Sequence, residues 1–130
     1  MEADTKFREV IDRIHAKSEK NVGPHLCTIW KGATTDKNKL PIYGTMRNPF
    51  KKEKPRIHTH RLMYMATKGL EDLNQTGPDG RLLEVSHLCH TPVCVNFTHL
   101  TLETHEKNME RRHCKDQGLC SKNHMPYCLL

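Results

Sequence analysis

Cysteine and histidine are spaced along this chain in a way that few folds accommodate. Cys89, Cys94 and His99 form a C-x4-C-x4-H series, and Cys114, Cys120, His124 and Cys128 form a C-x5-C-x3-H-x3-C series in the tail. Thiolates and imidazoles at such short intervals wrap a tetrahedral Zn²⁺. The tail series is sufficient for a closed site, whereas the first series supplies three ligands and needs a fourth from elsewhere in the chain. Cys27 is the only cysteine upstream. Two sites of three cysteines and one histidine would use all six cysteines. Something besides an apolar core is needed here, because hydrophobic residues are 35% and aromatics 5% of the 130 residues and mean hydropathy is −0.75. Small domains with so little to bury are commonly held by disulfides or by metal.

Disulfides are the weaker expectation. Residues 1–20 read as a polar amphipathic helix, not as a signal peptide, which points to an intracellular, reducing compartment, the nucleus in a eukaryote. No stretch has the length and apolarity of a membrane span, so no membrane partner is expected. The 21 Lys and Arg outnumber 15 Asp and Glu, a net charge of +6 that suits a polyanion such as nucleic acid.

One domain is expected over residues 1–130, with a helix in 1–20, a core in 26–112 and a metal-binding tail in 113–130. Phe7, Val10, Ile11 and Ile14 recur at i, i+3, i+4, i+7, which predicts a helix from Thr5 to Ser18 with Asp4 as N-cap. Leu26 to Trp30, Leu40 to Met46 and Pro55 to His60 are rich in β-formers and separated by turn residues, as in a small antiparallel sheet. Arg61 to Lys68 fits a helix closed by Gly69. The Gly77-Pro78-Asp79-Gly80 run is a turn. Leu82 to His87 and Leu100 to Glu103 then read as strands, and Thr104 caps a helix to about Arg112. The tail from His113 shows no helical or strand period. The expected class is α+β.

The densest information lies in His87-Leu88-Cys89, Cys94, His99 and, on the helix that follows, Asn108. This H-L-C-x4-C-x4-H series with a downstream asparagine resembles the His-Cys box homing endonucleases. It is also similar to the zinc-binding HNH endonucleases, which share an H-R-L-x-Y helix, here His60-Arg61-Leu62-Met63-Tyr64. Both belong to the ββα-metal, or His-Me finger, class. The resemblance implies a metal-dependent DNA endonuclease with a ββα-metal active site and two structural zinc ions. It implies His87 as general base and Asn108 as ligand of a catalytic Mg²⁺ or Mn²⁺. Cys27 would complete the first zinc site with Cys89, Cys94 and His99, and Cys114, Cys120, His124 and Cys128 would hold the second, with His113 or His105 as alternative ligands. Arg56 stands where the family has a strand arginine near the scissile phosphate. The chain stops two residues after Cys128, without the long arm that exchanges between homing-enzyme subunits, so dimerisation by that route is not expected and a homodimer is left open.

The chemistry supports these roles separately. In-line attack of water on a phosphodiester needs a base on one side and charge stabilisation on the other. A histidine of ordinary pKa, about 6.5, accepts a proton at neutral pH. Its second nitrogen needs an acceptor to fix the tautomer, for which the metal loop is the natural source. The Asn108 amide oxygen is a hard ligand for Mg²⁺, which normally keeps waters and takes phosphate oxygens besides. Taken alone, His87 reads as a further zinc ligand or a loop residue, and Asn108 as a helix-surface residue. His105, one turn earlier, reads as solvated or as a second metal ligand. Lys51, Lys52, Lys54 and Arg56 read as a solvated turn or as phosphate contacts to double-stranded DNA. His58 and His60 would share one strand face, for base contact beside Arg61. A catalytically silent DNA-binding domain of the same fold is the alternative, and a zinc-stabilised protein-interaction module is a further one.

Overall fold

The computed structural model describes residues 2–120 and 126–129 of the chain, with side chains from residue 5 onward. The elements run α1 (Glu2–Ala16), β1 (Ser18–Val22), β2 (Cys27–Trp30), β3 (Thr45–Arg47), β4 (Arg56–His58), α2 (Thr59–Lys68), β5 (Glu84–His87), β6 (Leu100–Glu103) and α3 (His105–Gln117), with a short 3₁₀ turn at Phe97–His99. Antiparallel pairing is divided among three two-stranded ladders, β1-β2, β3-β4 and β5-β6.

The expected stripe on α1 docks. Val10 and Ile14 are buried, with Phe7 and Ile11 beside them, against Leu62, Met63, Met65 and Ala66 of α2. Each fully buried aliphatic side chain contributes about 1.5–3 kcal/mol. The helix starts earlier than expected, so Asp4 lies within it and is not its cap. It also stops earlier, because Ser18 opens β1 and donates its hydroxyl to the Ile14 carbonyl at 2.6 Å. Leu40 to Met46 is mostly irregular, with only Thr45–Arg47 in a strand. β4 ends at His58, and α2 begins two residues sooner than its apolar spacing suggests, closed as expected by Gly69 at φ 72°.

Two ladders bring the ligand-bearing segments together. β1 pairs with β2, and β2 also meets the metal loop: Trp30 N–H donates to the Val93 carbonyl at 3.0 Å and Val95 N–H to the Thr28 carbonyl at 2.7 Å. That backbone pairing carries Cys27 to Cys94, which are 67 residues apart in the chain. β5 and β6 pair from Glu84↔Glu103 to His87↔Leu100, with the metal loop between them. α3 follows, its N-terminus capped by the Thr104 hydroxyl, which accepts from Lys107 N–H at 3.3 Å. It runs to Gln117, five residues past the expected end, and is terminated by Gly118 at φ 71°. The stretch from His113 is therefore helical at first, although only Cys114 in it is buried. Gln75 to Arg81 forms the expected turn, with Gly80 N–H donating to the Gly77 carbonyl at 3.0 Å.

Candidate metal centres and active site

Cys27, Cys89, Cys94 and His99 converge with their ligand atoms within 4.8 Å of one another, all four buried. The 3₁₀ turn, capped by Asn96 accepting from Thr98 N–H, holds His99 so that Nδ1 lies 3.6 Å from Cys27 Sγ and 3.5 Å from Cys94 Sγ. The three thiols share their charge unequally. A hydrogen bond from Cys94 draws the Cys89 thiol down to about 4, which makes it a thiolate. Donating to Cys89, together with burial, pushes Cys94 up, and burial beside the Cys89 charge does the same to Cys27. Without an ion only one of the three thiols ionises, and a soft dication such as tetrahedral Zn²⁺ would let all three coexist as thiolates beside the imidazole.

The tail forms a second cluster. Cys114 on α3, Cys120 just past Gly118 and Cys128 bring their sulfurs within 4.8 Å. His124, the fourth expected ligand, lies outside the described residues. Of its alternatives, His105 is engaged elsewhere and His113 is exposed. Burial pushes the Cys128 thiol up to about 12, opposed by Arg111, whose Nη1 donates to Cys128 Sγ at 3.6 Å. Arg111 itself is buried and forks onto buried Glu103, with Nε to Oε2 at 2.5 Å and Nη2 to Oε1 at 2.9 Å. This pair ties the tail cluster to β6.

His87 ends β5 beside the first cluster. Its Nε2 is 3.0 Å from the Cys94 carbonyl, which can only accept, so Nε2 carries the proton and the neutral ring keeps its lone pair on Nδ1. The acceptor belongs to the metal loop, as expected. The ring does not keep an ordinary pKa: burial pushes it down to about 4, against the opposing pull of Cys89, so it stays neutral throughout the neutral range. Behind it lies the His60 ring, 4.3 Å away between centroids.

His87 and Asn108 line one small cavity of about 90 Å³ with Tyr43, Arg112 and Lys115. Asn108, Tyr43 and Arg112 also line an adjoining cavity of about 330 Å³ that holds Glu84 and His105. Glu84 organises this second space: Asn108 Nδ2 donates to Oε2 at 3.3 Å and His105 Nδ1 lies 2.7 Å from Oε1. Asn108 thus spends its N–H on Glu84 and keeps Oδ1, a hard donor of the kind Mg²⁺ takes. His105 keeps its side chain 41% exposed while paired with Glu84, and it does not group with the sulfurs of Cys114, Cys120 and Cys128.

Residues 16–128 match the family model described as the zinc-binding loop region of homing endonuclease. The chain belongs to that family. No curated protein and no solved structure matches it.

Within this family assignment, the structure brings together His87, Asn108 and the complete first cysteine cluster, but not every residue expected around them. Arg56 lines two grooves on β4, and neither cavity that holds Asn108 includes it. The cation that does line both is Arg112, one turn beyond Asn108 on α3. Sequence reasoning missed it together with Glu84. The available signal was spacing, since His105, Asn108, Arg112 and Lys115 fall on one helical face once α3 is extended. His60 is withdrawn from DNA contact: as part of α2 it is 6% exposed and its Nε2 is 3.2 Å from the Val85 carbonyl. His58 remains exposed, stacked 4.7 Å from Tyr43. Arg61 reaches the Leu73 carbonyl with Nη2 at 2.8 Å while lining the larger cavity. Of the hairpin lysines, Lys54 lies 3.7 Å from Asp72 and Lys51 and Lys52 sit in the β3-β4 turn. Among the described residues, no helix is long and apolar enough to cross a membrane.

Proposed function

We propose that this chain is a metal-dependent DNA endonuclease that hydrolyses phosphodiester bonds, with His87 as general base and Asn108 as protein ligand of the divalent ion. The observation that carries this reading is the Nε2 contact of His87 with the Cys94 carbonyl. It leaves Nδ1 as the basic nitrogen of a ring that lines one cavity with Asn108.

His87 Nδ1 takes the proton of the attacking water as its oxygen closes on phosphorus, and the bond to the leaving oxygen breaks in line. Fixed in its tautomer and held neutral by burial, the ring needs no reorganisation before it acts. Asn108 Oδ1 would hold Mg²⁺ or Mn²⁺, which would supply charge neutralisation for the phosphate and the leaving oxygen. Arg112 and Lys115 offer further positive charge at the same wall. Both zinc ions would be structural, the first fixing the carbonyl that orients His87. The substrate is expected to be double-stranded DNA.

Nicking of supercoiled plasmid tests the reading. Wild-type protein should cut with Mg²⁺ and not with EDTA at zinc-sparing concentrations. His87→Ala and Asn108→Ala should each lose roughly 10²-fold or more in rate while binding DNA nearly as well. The two losses should not add, since each leaves the other half of the device idle. A His87→Ala protein that cuts at the wild-type rate would leave the silent DNA-binding domain as the better reading.

A further inference from the structure

A second basic feature lies away from the cleavage centre. The groove between α1 and the β3-β4 hairpin encloses about 300 Å³, is lined by Arg13, Lys17, Arg47 and Arg56, and has Trp30 as its floor. No Asp or Glu lines it. Among the described residues the ion pairs are made by Lys31, Lys54, His105 and Arg111, so none of these four cations is neutralised that way. One pair is placed against the fold. Arg47 and Arg56 stand directly opposite in the ladder, while Arg13 sits in the last turn of α1 and Lys17 just past its end. Like charges directly opposite across a ladder repel, and an anion between them reverses the sign. The floor is firm, because Trp30 Nε1 donates to the Ala33 carbonyl at 2.8 Å and Gly32 and Gly44 lie flat on its ring, where a Cβ would collide.

Shared lining residues lead from the groove towards the active site, past Asp72 and Glu84. Thr45 and Arg56 are shared with the next cavity along the hairpin, His58 and Arg61 join that one to the Glu84 cavity, and Asn108 and Arg112 join the Glu84 cavity to that of His87. Arginine therefore recurs along the whole run.

Resting on the DNA reading above, we infer that this groove binds a backbone phosphate of the DNA remote from the scissile bond, at the far end of a single track leading to His87. Arg13 lies before the family-matched segment, so α1 adds binding surface that the nuclease core alone lacks. Only Arg56 of the expected hairpin cations takes part at this end, and Lys51 and Lys52 lie off the track.

The test is fluorescence anisotropy of a labelled DNA duplex over a KCl series in EDTA, with zinc content and circular dichroism followed in parallel. Arg13→Gln with Lys17→Gln should weaken binding roughly 10-fold at low salt and flatten the log-log salt slope by about 0.9, the amount for one phosphate no longer neutralised. Arg13→Lys with Lys17→Arg should restore both. Lys51→Gln with Lys52→Gln should change the slope less. If wild-type protein binds but the Arg13 and Lys17 pair can be neutralised without changing slope or affinity, the groove inference fails and the nuclease reading stands. If wild-type protein shows no salt-dependent DNA binding, both fail.

Discussion

His60 shows how one residue can lose a surface role and gain an internal one. Its ring is buried between α2 and β5, with Nε2 on the Val85 carbonyl and its face towards His87. Burial, reinforced by His87 and His58, pushes its pKa well below 6.5, so the folded chain keeps it neutral while the unfolded chain protonates it near 6.5. Its contribution to stability is thus fully present above pH 6.5 and is lost as pH falls below it. For one proton the slope approaches about 1.4 kcal/mol per pH unit. Urea unfolding of wild type and His60→Gln between pH 7.5 and 5.5, with zinc retention checked, should show a shallower pH dependence in the variant. Equal slopes would mean that His60 is charged in the fold or solvated.

At the scale of elements, the β5-loop-β6-α3 unit was the most legible in the sequence and β1 the least. β6 has the expected bounds because Leu100 and Leu102 alternate with polar residues and the ligand spacing leaves little freedom in the loop. β1, Ser18-Glu19-Lys20-Asn21-Val22, is polar and mostly exposed, held by backbone pairing to β2, so no period announces it. The far half of α3 was hidden likewise: Arg111 and Cys114 are buried for a salt bridge and a metal cluster, neither of which leaves an apolar stripe. Glu84 was invisible for a further reason, since its partners lie on another element. It ties β5 to α3 through Asn108 and His105, and supporting interactions of this kind are commonly worth 10- to 100-fold in metal affinity or activity. Glu84→Gln keeps the shape and removes the charge. Cleavage should fall about 10-fold at fixed Mg²⁺ and be partly recovered at higher Mg²⁺, with the thermal midpoint little changed. An unaltered Mg²⁺ titration would exclude Glu84 from the ion's surroundings.

Over the whole molecule, stability is divided between an apolar cluster built on α1, α2 and Trp30 and a cysteine cluster that packs with Ile29 and Leu129. The two metal centres are not equivalent. Cys27, Cys89, Cys94 and His99 are all buried, whereas Cys120 and Cys128 of the tail cluster are half-exposed. A chelator reaches half-exposed thiolates sooner, so zinc should leave in two phases of about one ion per chain each. The tail is not an independent appendage, because Leu129 N–H donates to the Leu88 carbonyl at 2.8 Å and Arg111 joins Cys128 to Glu103. The first phase should therefore lower the melting temperature. It should leave most of the Mg²⁺-dependent nicking, since the four ligands of the loop that holds the Cys94 carbonyl against His87 all come from residues 27–99. Activity should disappear with the second phase, and Cys94→Ser should reproduce that loss together with a fall in stability, whereas His87→Ala loses activity alone. A colorimetric zinc-release assay run beside nicking and thermal melts reads all three quantities on one sample. Activity that vanishes with the first ion would place the tail centre in the catalytic device. A single ion per chain would mean that the tail cysteines do not form a zinc site.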